Sequence, residues 1–457
     1  MSGAPDLRTF LSDAEGAGLV YRVSRPVDLG EQLGALCAQA DRTILFEHLV
    51  GYPGWRLVDC LARTRVLQGL ALGVKPEGVV REVARRLADP IGPTPVVTDA
   101  ACQAEVWEGE AVDLTRLPVA IHSEDDGAPY IGGAMGIVKD PETGIQNVFM
   151  PRTMVRPGTR RHPFYLYSSH TRRILRKYSE RGDPMPMALA IGHHPGVEIG
   201  VNFHGRHPDF SELNVAAALL QRPLPLVRCQ TLDLLVPADA EIVIEGSVPI
   251  KVREPEGPFG DVHDHYFPGI SMQPVFDAHR VTMRRGAIYR HINATNATDH
   301  QALSEVTHAG QVYARLEAAG ARVVDIHMPS WAGLFLTVVQ LDPTAKGEGL
   351  EVLRSLLTMP FIHKFLIAVD ADVNIYDVEE LFWAVSTRAD PRTDVVTVSG
   401  PRKSPLDPSP SLEPPHACLI DATVPGGPAY RQDFRRARPR GHGRVWLEDF
   451  LDKEEHP

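Results

Sequence analysis

Between Glu105 and Asn296 the chain is written in short apolar runs punctuated by Gly, Pro and Asp: YIGGAMGIVKDPETGIQNVFM, PMALAIGHHPG, EIVIEGSVPI and PVFDAHRVTMRRGAIYRHI. Runs this short, bounded by turn formers, suit strands better than helices. The stretch therefore predicts a β-rich domain, with a barrel among the architectures open to it. Two helices interrupt it. SSHTRRILRKYSERG has hydroxyl capping residues at its start and Gly182 at its end, and DFSELNVAAALLQ is the second.

The flanks read differently. Ahead of the β-rich stretch, Asp28 to Ala40 predicts a helix, TILFEHL and WRLVDCLA strands, and GVVREVARRLAD an amphipathic helix. DPIGPTPVV then breaks the pattern and marks a boundary. Beyond it, Gln301 to Ala319 predicts a helix, ARVVDIHMP and LFLTVVQL strands, EGLEVLRSLLTM a helix, KFLIAVDADVN a strand and DVEELFWAVSTR a helix. That alternation suits a sheet with helices against it. From Pro401 the chain is rich in proline and then arginine, and reads as an arm on a partner subunit or as disorder. At 457 residues the chain is too long for one ordinary core. The expected division is an N-terminal α/β domain over 1–105, a β domain over 106–300, a C-terminal α/β domain over 301–430 and a tail over 431–457.

Charge and cysteine usage exclude some functions. A formal net charge of -11 argues against a general phosphate-backbone binder, so no nucleic-acid partner is expected. Cys37, Cys60, Cys102, Cys229 and Cys418 are scattered without a CxxC pair, which suits reduced thiols in a cytoplasmic protein. MSGAPDLRTF lacks the layout of a signal peptide, and no apolar run is long enough to cross a bilayer.

Four segments carry residues suited to chemistry. In REPEGPFGDVHDHY, Glu256 and Asp261 flank a Gly-Pro-Phe-Gly turn, and a stiff loop with a carboxylate at each end can fix an acid beside its partner. QNVFMPRTMV holds Asn147 and Arg152. YSSHTRRIL holds His170 at a helix start, where free N–H groups favour phosphate. DFSELN holds Glu212. Taken singly, each has an ordinary alternative: solvated loop acids, a surface arginine, a helix capped by Ser168, Ser169 or Thr171, an acidic residue at a helix start.

Taken in order, they resemble the UbiD family of decarboxylases. The family pattern runs from an asparagine and an arginine on one strand to a histidine, a glutamate after a serine, a VPAxAExVIEG stretch, and EGPFG followed by an acid. This chain has Asn147, Arg152, His170, Ser211–Glu212, VPADAEIVIEG, and EGPFG followed by Asp261. KFLIAVDADVN…WAVSTRADPRTD is similar to the family's C-terminal signature. The resemblance covers Ala188 to Asp394 in wording and reaches back to Asn147 in spacing.

The resemblance implies a central split β-barrel that binds prenylated FMN and a C-terminal α/β oligomerisation domain. It implies that Asn147, His170 and Glu212 hold a divalent metal, Mn2+ with Mg2+ as the alternative, which grips the cofactor phosphate. K+ is a further candidate. An amide oxygen, an imidazole and a carboxylate suit such a cation. Pro151, Arg152, Thr153, Ser169 and Lys364 are the other cofactor-contacting positions it implies. Arg152, Glu256 and Asp261 become the catalytic set, with Asp261 as proton donor. The flavin, as an azomethine ylide, supplies the electron sink for a non-oxidative and reversible decarboxylation. The substrate expected is an α,β-unsaturated or (hetero)aromatic carboxylic acid, the supplier of cofactor a flavin prenyltransferase, and the assembly a homodimer or homohexamer.

Two features depart from the family wording. Many members carry glutamate where this chain has Asp261, and aspartate is one methylene shorter. HDHY (His263 to Tyr266) stands where small residues are common. His263, Asp264 and His265 suit either a polar pocket wall or a hydrogen-bonded loop. HINATNATDH, from His291 through Asn293 to His300, suits either a heteroatom contact or a capped turn. Phe259 and Trp331 are candidate pocket aromatics. The competing functions are a flavin oxidoreductase on a related β-barrel, weakened by the lack of a Gly-rich dinucleotide loop, and a non-catalytic subunit, weakened by the intact Arg152, Glu256 and Asp261.

Overall fold

The strand reading of the central segment holds, and the reason its apolar runs are continuous is that both faces of the sheet are covered. The computed structural model describes residues 6–89, 95–203, 205, 211–266, 268–295, 299–342, 348–359, 364–399, 407–409, 416–425 and 432–450. Its largest sheet is antiparallel and runs in the order Arg161–Pro163, Ser271–Met283, Ile242–Val248, Met185–Ile191, Ala134–Lys139, Gln146–Phe149. Arg253–Glu256 and Glu105–Glu108 also pair with the long strand Ser271–Met283. Alternate residues serve different cores. Met187, Leu189, Ile191, Ile242 and Ile244 pack with Phe276 and Val281 on one face. Ala188, Ala190 and Val243 pack with Leu213, Ala216 and Ala217 on the other. The small residues on that second face admit helix Glu212–Leu219. Behind it, helix Pro195–Val201 approaches so closely that a Cβ at Gly200 would lie 2.4 Å from the Ala216 Cα.

Both inserted helices begin as their sequences predict. Ser168 caps Ser169–Arg181 by accepting from the Thr171 N–H at 3.3 Å, and Gly182 ends it in the left-handed conformation at φ 80°. Ser211 and Asn214 form a reciprocal capping box on Glu212–Leu219.

The N-terminal sheet comprises Val20–Val23, Thr43–Phe46, Arg56–Asp59 and, from far along the chain, Ile288–Arg290. Ile288–Arg290 pairs in parallel with Arg56–Asp59, so the chain leaves the central sheet and returns to the first layer before the next helix begins. The helix read over Asp28 to Ala40 is shorter, Leu33–Gln39, because the Asp28 carboxylate accepts from the Gly30 and Glu31 N–H groups at 2.8 and 2.9 Å and holds a turn there.

The third layer follows the predicted alternation. Its sheet is ordered Val323–His327, Leu336–Leu341, Phe365–Asp370, His416–Ala422, Val395–Ser399, with helices Asp299–Ala318, Glu348–Leu356 and Val378–Arg388. The reading of everything beyond Pro401 as an arm or disorder is corrected here. His416–Ala422 is an interior strand between Phe365–Asp370 and Val395–Ser399. Its Ala417, Leu419 and Asp421 are buried, an alternation hidden by the proline-rich residues before it. Among the described residues no helix is long and apolar enough to cross a membrane.

Candidate active site

Arg152 lies just past strand Gln146–Phe149, Glu256 closes the edge strand Arg253–Glu256, and Asp261 follows the Gly-Pro-Phe-Gly turn. The fold brings the three together and buries them all. The guanidinium forks onto Glu256, Nε to Oε1 and Nη2 to Oε2, both at 2.9 Å. Its third edge, Nη1, donates to Asp261 Oδ2. The Tyr165 and Phe259 rings lie 4.3 and 5.0 Å from the guanidinium carbon and exclude water from it. One cation faces two carboxylates here. Burial pushes the Glu256 carboxyl up from its ordinary range, Asp261 pushes it further, and Arg152 and Tyr130 oppose them. Burial and the neighbouring carboxyl thus favour a proton on Glu256 more than on a free glutamic acid.

The turn is held from below by residues that motif reading missed. Asp126 accepts from the Gly260 N–H at 2.7 Å and from the His122 and Ser123 N–H groups at 3.1 Å each. Burial pushes its own carboxyl up to about 6. The Tyr130 hydroxyl accepts from the Gly257 N–H at 3.1 Å. Gly257 has φ 99°, and a Cβ there would meet the Gly269 carbonyl at 2.5 Å, so only glycine fits. Nothing in SEDDGAPY distinguishes Asp126 from its neighbours Glu124 and Asp125. Its role emerges only from the tertiary contact.

Asn147, His170 and Glu212 line a second site, a cavity of about 450 Å³ that also includes Arg173, Lys177 and Phe203. The Asn147 amide donates to the Thr171 hydroxyl at 3.1 Å, which leaves its carbonyl oxygen as the acceptor end. Glu212 Oε2 accepts from the Val148 N–H at 2.7 Å, and burial pushes this carboxyl up to about 7. Among the described residues no side-chain cation pairs with it, and no cluster of three His, Cys, Asp or Glu is present. An amide oxygen, an imidazole and a desolvated carboxylate around a cavity at a helix N-terminus fit a divalent cation shared with a phosphate.

The remaining expected residues are dispersed. Pro151 and Thr153 flank Arg152 and are buried, and the Thr153 hydroxyl has no hydrogen-bond partner among the described residues. Ser169 is exposed at the start of its helix. Lys364 donates to Asp407 at 3.1 Å and Ser409 at 2.9 Å in the third layer, and does not line the Asn147 cavity. Phe259 is in the site, whereas Trp331 is 48% exposed. His291 stands edge-on to His122 at 4.7 Å, and His122 to Phe259 at 5.4 Å. Burial pushes His291 down to about 3, so it is neutral.

Family models match along most of the chain. They are the 3-octaprenyl-4-hydroxybenzoate carboxy-lyase N-terminal domain over residues 11–87, the Rift-related domain over 95–296 and the C-terminal domain over 301–422. The chain belongs to the UbiD family. It is a carboxy-lyase by that membership, and its α/β, β and α/β layers are the family architecture. The UbiD-class enzyme HmfF from Pelotomaculum thermopropionicum in complex with FMN is 33% identical, with 98% of this chain and 100% of that one covered and a TM-score of 0.88. An evolved dimeric form of that enzyme in complex with prFMN is 31% identical, covers 98% and 100%, and has a TM-score of 0.86. The anhydromevalonate phosphate decarboxylase of Methanothermobacter thermautotrophicus is 29% identical over 376 residues, 81% of this chain and 85% of that protein.

Proposed function

We propose that this UbiD-family chain removes CO2 from an α,β-unsaturated or (hetero)aromatic carboxylic acid with bound prenylated FMN, and that Arg152, Glu256 and Asp261 carry the protein's share of the chemistry. The observation that supports this reading best is the buried Arg152 fork between two carboxyls. The similarity to HmfF complexes with FMN and prFMN supports the cofactor. When bound, the prenylated flavin supplies the electron sink for the carbon that loses CO2. Asn147, His170 and Glu212 would hold a divalent metal and, through it, the cofactor phosphate, with Mn2+ preferred to Mg2+ and K+ as a further ion. Asn147 and Arg152 are five positions apart in the chain, so at most about 17 Å separates their backbones. That span lets a nucleotide-sized cofactor reach from the cavity to the acid cluster.

In the proposed course, Arg152 orients the substrate carboxylate and Glu256 holds Arg152 in place. The bond from the ring or alkene carbon to the carboxyl carbon breaks and CO2 departs. Asp261 then delivers a proton to that carbon and is reprotonated from solvent. Net, the acid yields CO2 and the molecule with hydrogen in place of the carboxyl. A flavin prenyltransferase would supply the cofactor. The cytoplasm is the expected compartment, and assembly as a homodimer or homohexamer is proposed on the dimeric relative.

The decisive experiment is production with a flavin prenyltransferase, followed by CO2 release from a panel of phenolic, heteroaromatic and alkenoic acids under anaerobic conditions. Turnover of at least one class is expected. Protein that carries ordinary flavin, releases no CO2 and oxidises a nicotinamide cofactor would favour the oxidoreductase reading. Glu212→Ala is expected to lose most of the bound divalent metal by elemental analysis, and flavin with it, while near-UV circular dichroism is retained. Full metal occupancy in that variant would remove Glu212 from the ligand set.

A further inference from the structure

The HDHY segment is the sequence peculiarity that the proposed chemistry leaves unused, and in the fold it is the point where the third layer touches the acid loop. Asp261 to Asp264 form a tight turn. The Asp264 N–H donates to the Asp261 carbonyl at 2.8 Å, and the Val262 N–H donates to Asp261 Oδ1 at 2.7 Å. The Asp261 N–H donates to the His265 carbonyl at 3.2 Å. Gln301, in the first turn of the long helix, donates to the Val262 carbonyl at 2.6 Å. His263 sits at the tip of this turn. Its Nδ1 is 2.5 Å from the Gly333 carbonyl, which can only accept, so Nδ1 carries the proton. Its ring stacks on Phe335 at 4.2 Å and an interplanar angle of 29°. Beside it, Val262 and Tyr165 pack on Met328 and Leu334, and Tyr165 is the ring that covers Arg152. Both sides of the contact hold a non-glycine residue in the left-handed region, Asp264 at φ 60° and Leu334 at φ 61°. Backbones in that region persist where surrounding contacts over-determine them.

We infer that His263 is a positioning residue, a latch that ties the Asp261 turn to the Gly333–Phe335 segment and so sets the reach of Asp261 to the reacting carbon. This deepens the proposed decarboxylation and rests on it for the role of Asp261. The turn is only four residues long, so a displacement of its tip is passed to its first residue. Asp261 carries its carboxyl on a single methylene, so the position of its backbone fixes the reach of that carboxyl closely. A displacement of about 1 Å at a reacting group can lower a rate by about a hundredfold.

The test uses the cofactor-loaded full chain. His263→Ala is expected to lower kcat by about ten- to a hundredfold with KM changed less. In the same variant, amide hydrogen exchange should quicken at residues 261–265 and 333–335 together, while Ile242–Val248 keeps its wild-type protection. His263→Asn, whose amide N–H can replace the Nδ1 donor, should recover most of the rate. Phe335→Leu perturbs the latch from the other side and covers the case in which His263→Ala folds poorly. Unchanged exchange at 333–335, faster exchange throughout the molecule, or coupled exchange with unchanged kcat would each overturn the assignment. The exchange arm is read without substrate. A wild-type protein that releases no CO2 therefore defeats the proposed function and leaves the latch to be judged on exchange alone.

Discussion

Asp261→Asn is expected to lower kcat for CO2 release by roughly a thousandfold or more, with the cofactor's absorbance and the metal content unchanged. The substitution is nearly isosteric, so the turn keeps its shape. Asn can still accept from the Val262 N–H, which now bonds Asp261 Oδ1 at 2.7 Å. What changes is the other oxygen, which accepts from Arg152 Nη1. There the amide presents an NH2 group, which cannot accept from Arg152 and has no acidic proton to give. Glu256 stays bound to Arg152 through both oxygens at 2.9 Å, so the guanidinium keeps its place in the variant. The variant therefore separates two roles. Loss of CO2 with slow protonation would appear as single-turnover release without further turnover, whereas a role confined to binding would raise KM and leave kcat near wild type. Turnover at the wild-type rate would remove Asp261 as the donor. Glu256→Gln should behave differently, since one amide oxygen can accept from only one arm of the Arg152 fork, which loosens the guanidinium while the Asp261 carboxyl stays in place.

The contrast between Asp261 and Asp126 shows what was legible in the sequence. EGPFGD is an ordered phrase that singles out Asp261 as a candidate, and ordered motifs likewise single out Asn147, His170 and Glu212, which the fold brings to one cavity from a strand and two helix starts. The helix starts were legible physically as well, through Ser168 and Ser211. Asp126 was not, because its function is to accept three N–H groups, one of them from a residue 134 positions away. No local pattern encodes a contact of that kind. Two fold elements were hidden for the same reason. Ile288–Arg290 reads as the end of a central strand, yet it pairs with Arg56–Asp59, and nothing near residue 288 names that partner. His416–Ala422 is preceded by proline-rich chain, and it is a strand because Phe365–Asp370 and Val395–Ser399 lie on either side of it. Periodicity reports which residues are buried and leaves open which element buries them.

The second large effect is expected at Arg290, where substitution by Met should destabilise the protein by about 3–5 kcal/mol. Arg290 is fully buried and bonds three carboxylates. Its Nη2 donates to Glu198 Oε2 at 2.8 Å and Asp299 Oδ2 at 2.6 Å, and Nη1 donates to Asp59 Oδ1 at 3.1 Å. Each acid is itself a joint. Asp59 ends a strand of the N-terminal sheet and accepts from the Asn293 N–H at 3.1 Å. Glu198 belongs to helix Pro195–Val201. Asp299 opens the long helix and accepts from the Leu61 and Ala62 N–H groups at 2.5 and 2.8 Å. Burial already pushes all three carboxyls above their ordinary values, and Arg290 is the largest influence opposing the rise. Methionine fills much of the space but leaves three desolvated acids without their cation, so their folded-state values rise further. An acid whose folded value lies above its unfolded one contributes stability that is complete below the unfolded value and lost as pH rises through the folded one. The deficit of Arg290→Met should therefore be small near pH 4, grow as pH rises, and be largest at pH 8. Thermal unfolding of wild type and variant across pH 4–8 measures it. A deficit that is the same at every pH, or below about 1 kcal/mol at pH 8, would mean that packing rather than charge holds this junction. Arg290→Lys, which keeps the charge but cannot fork to three partners, should fall between the two and flatten the pH dependence.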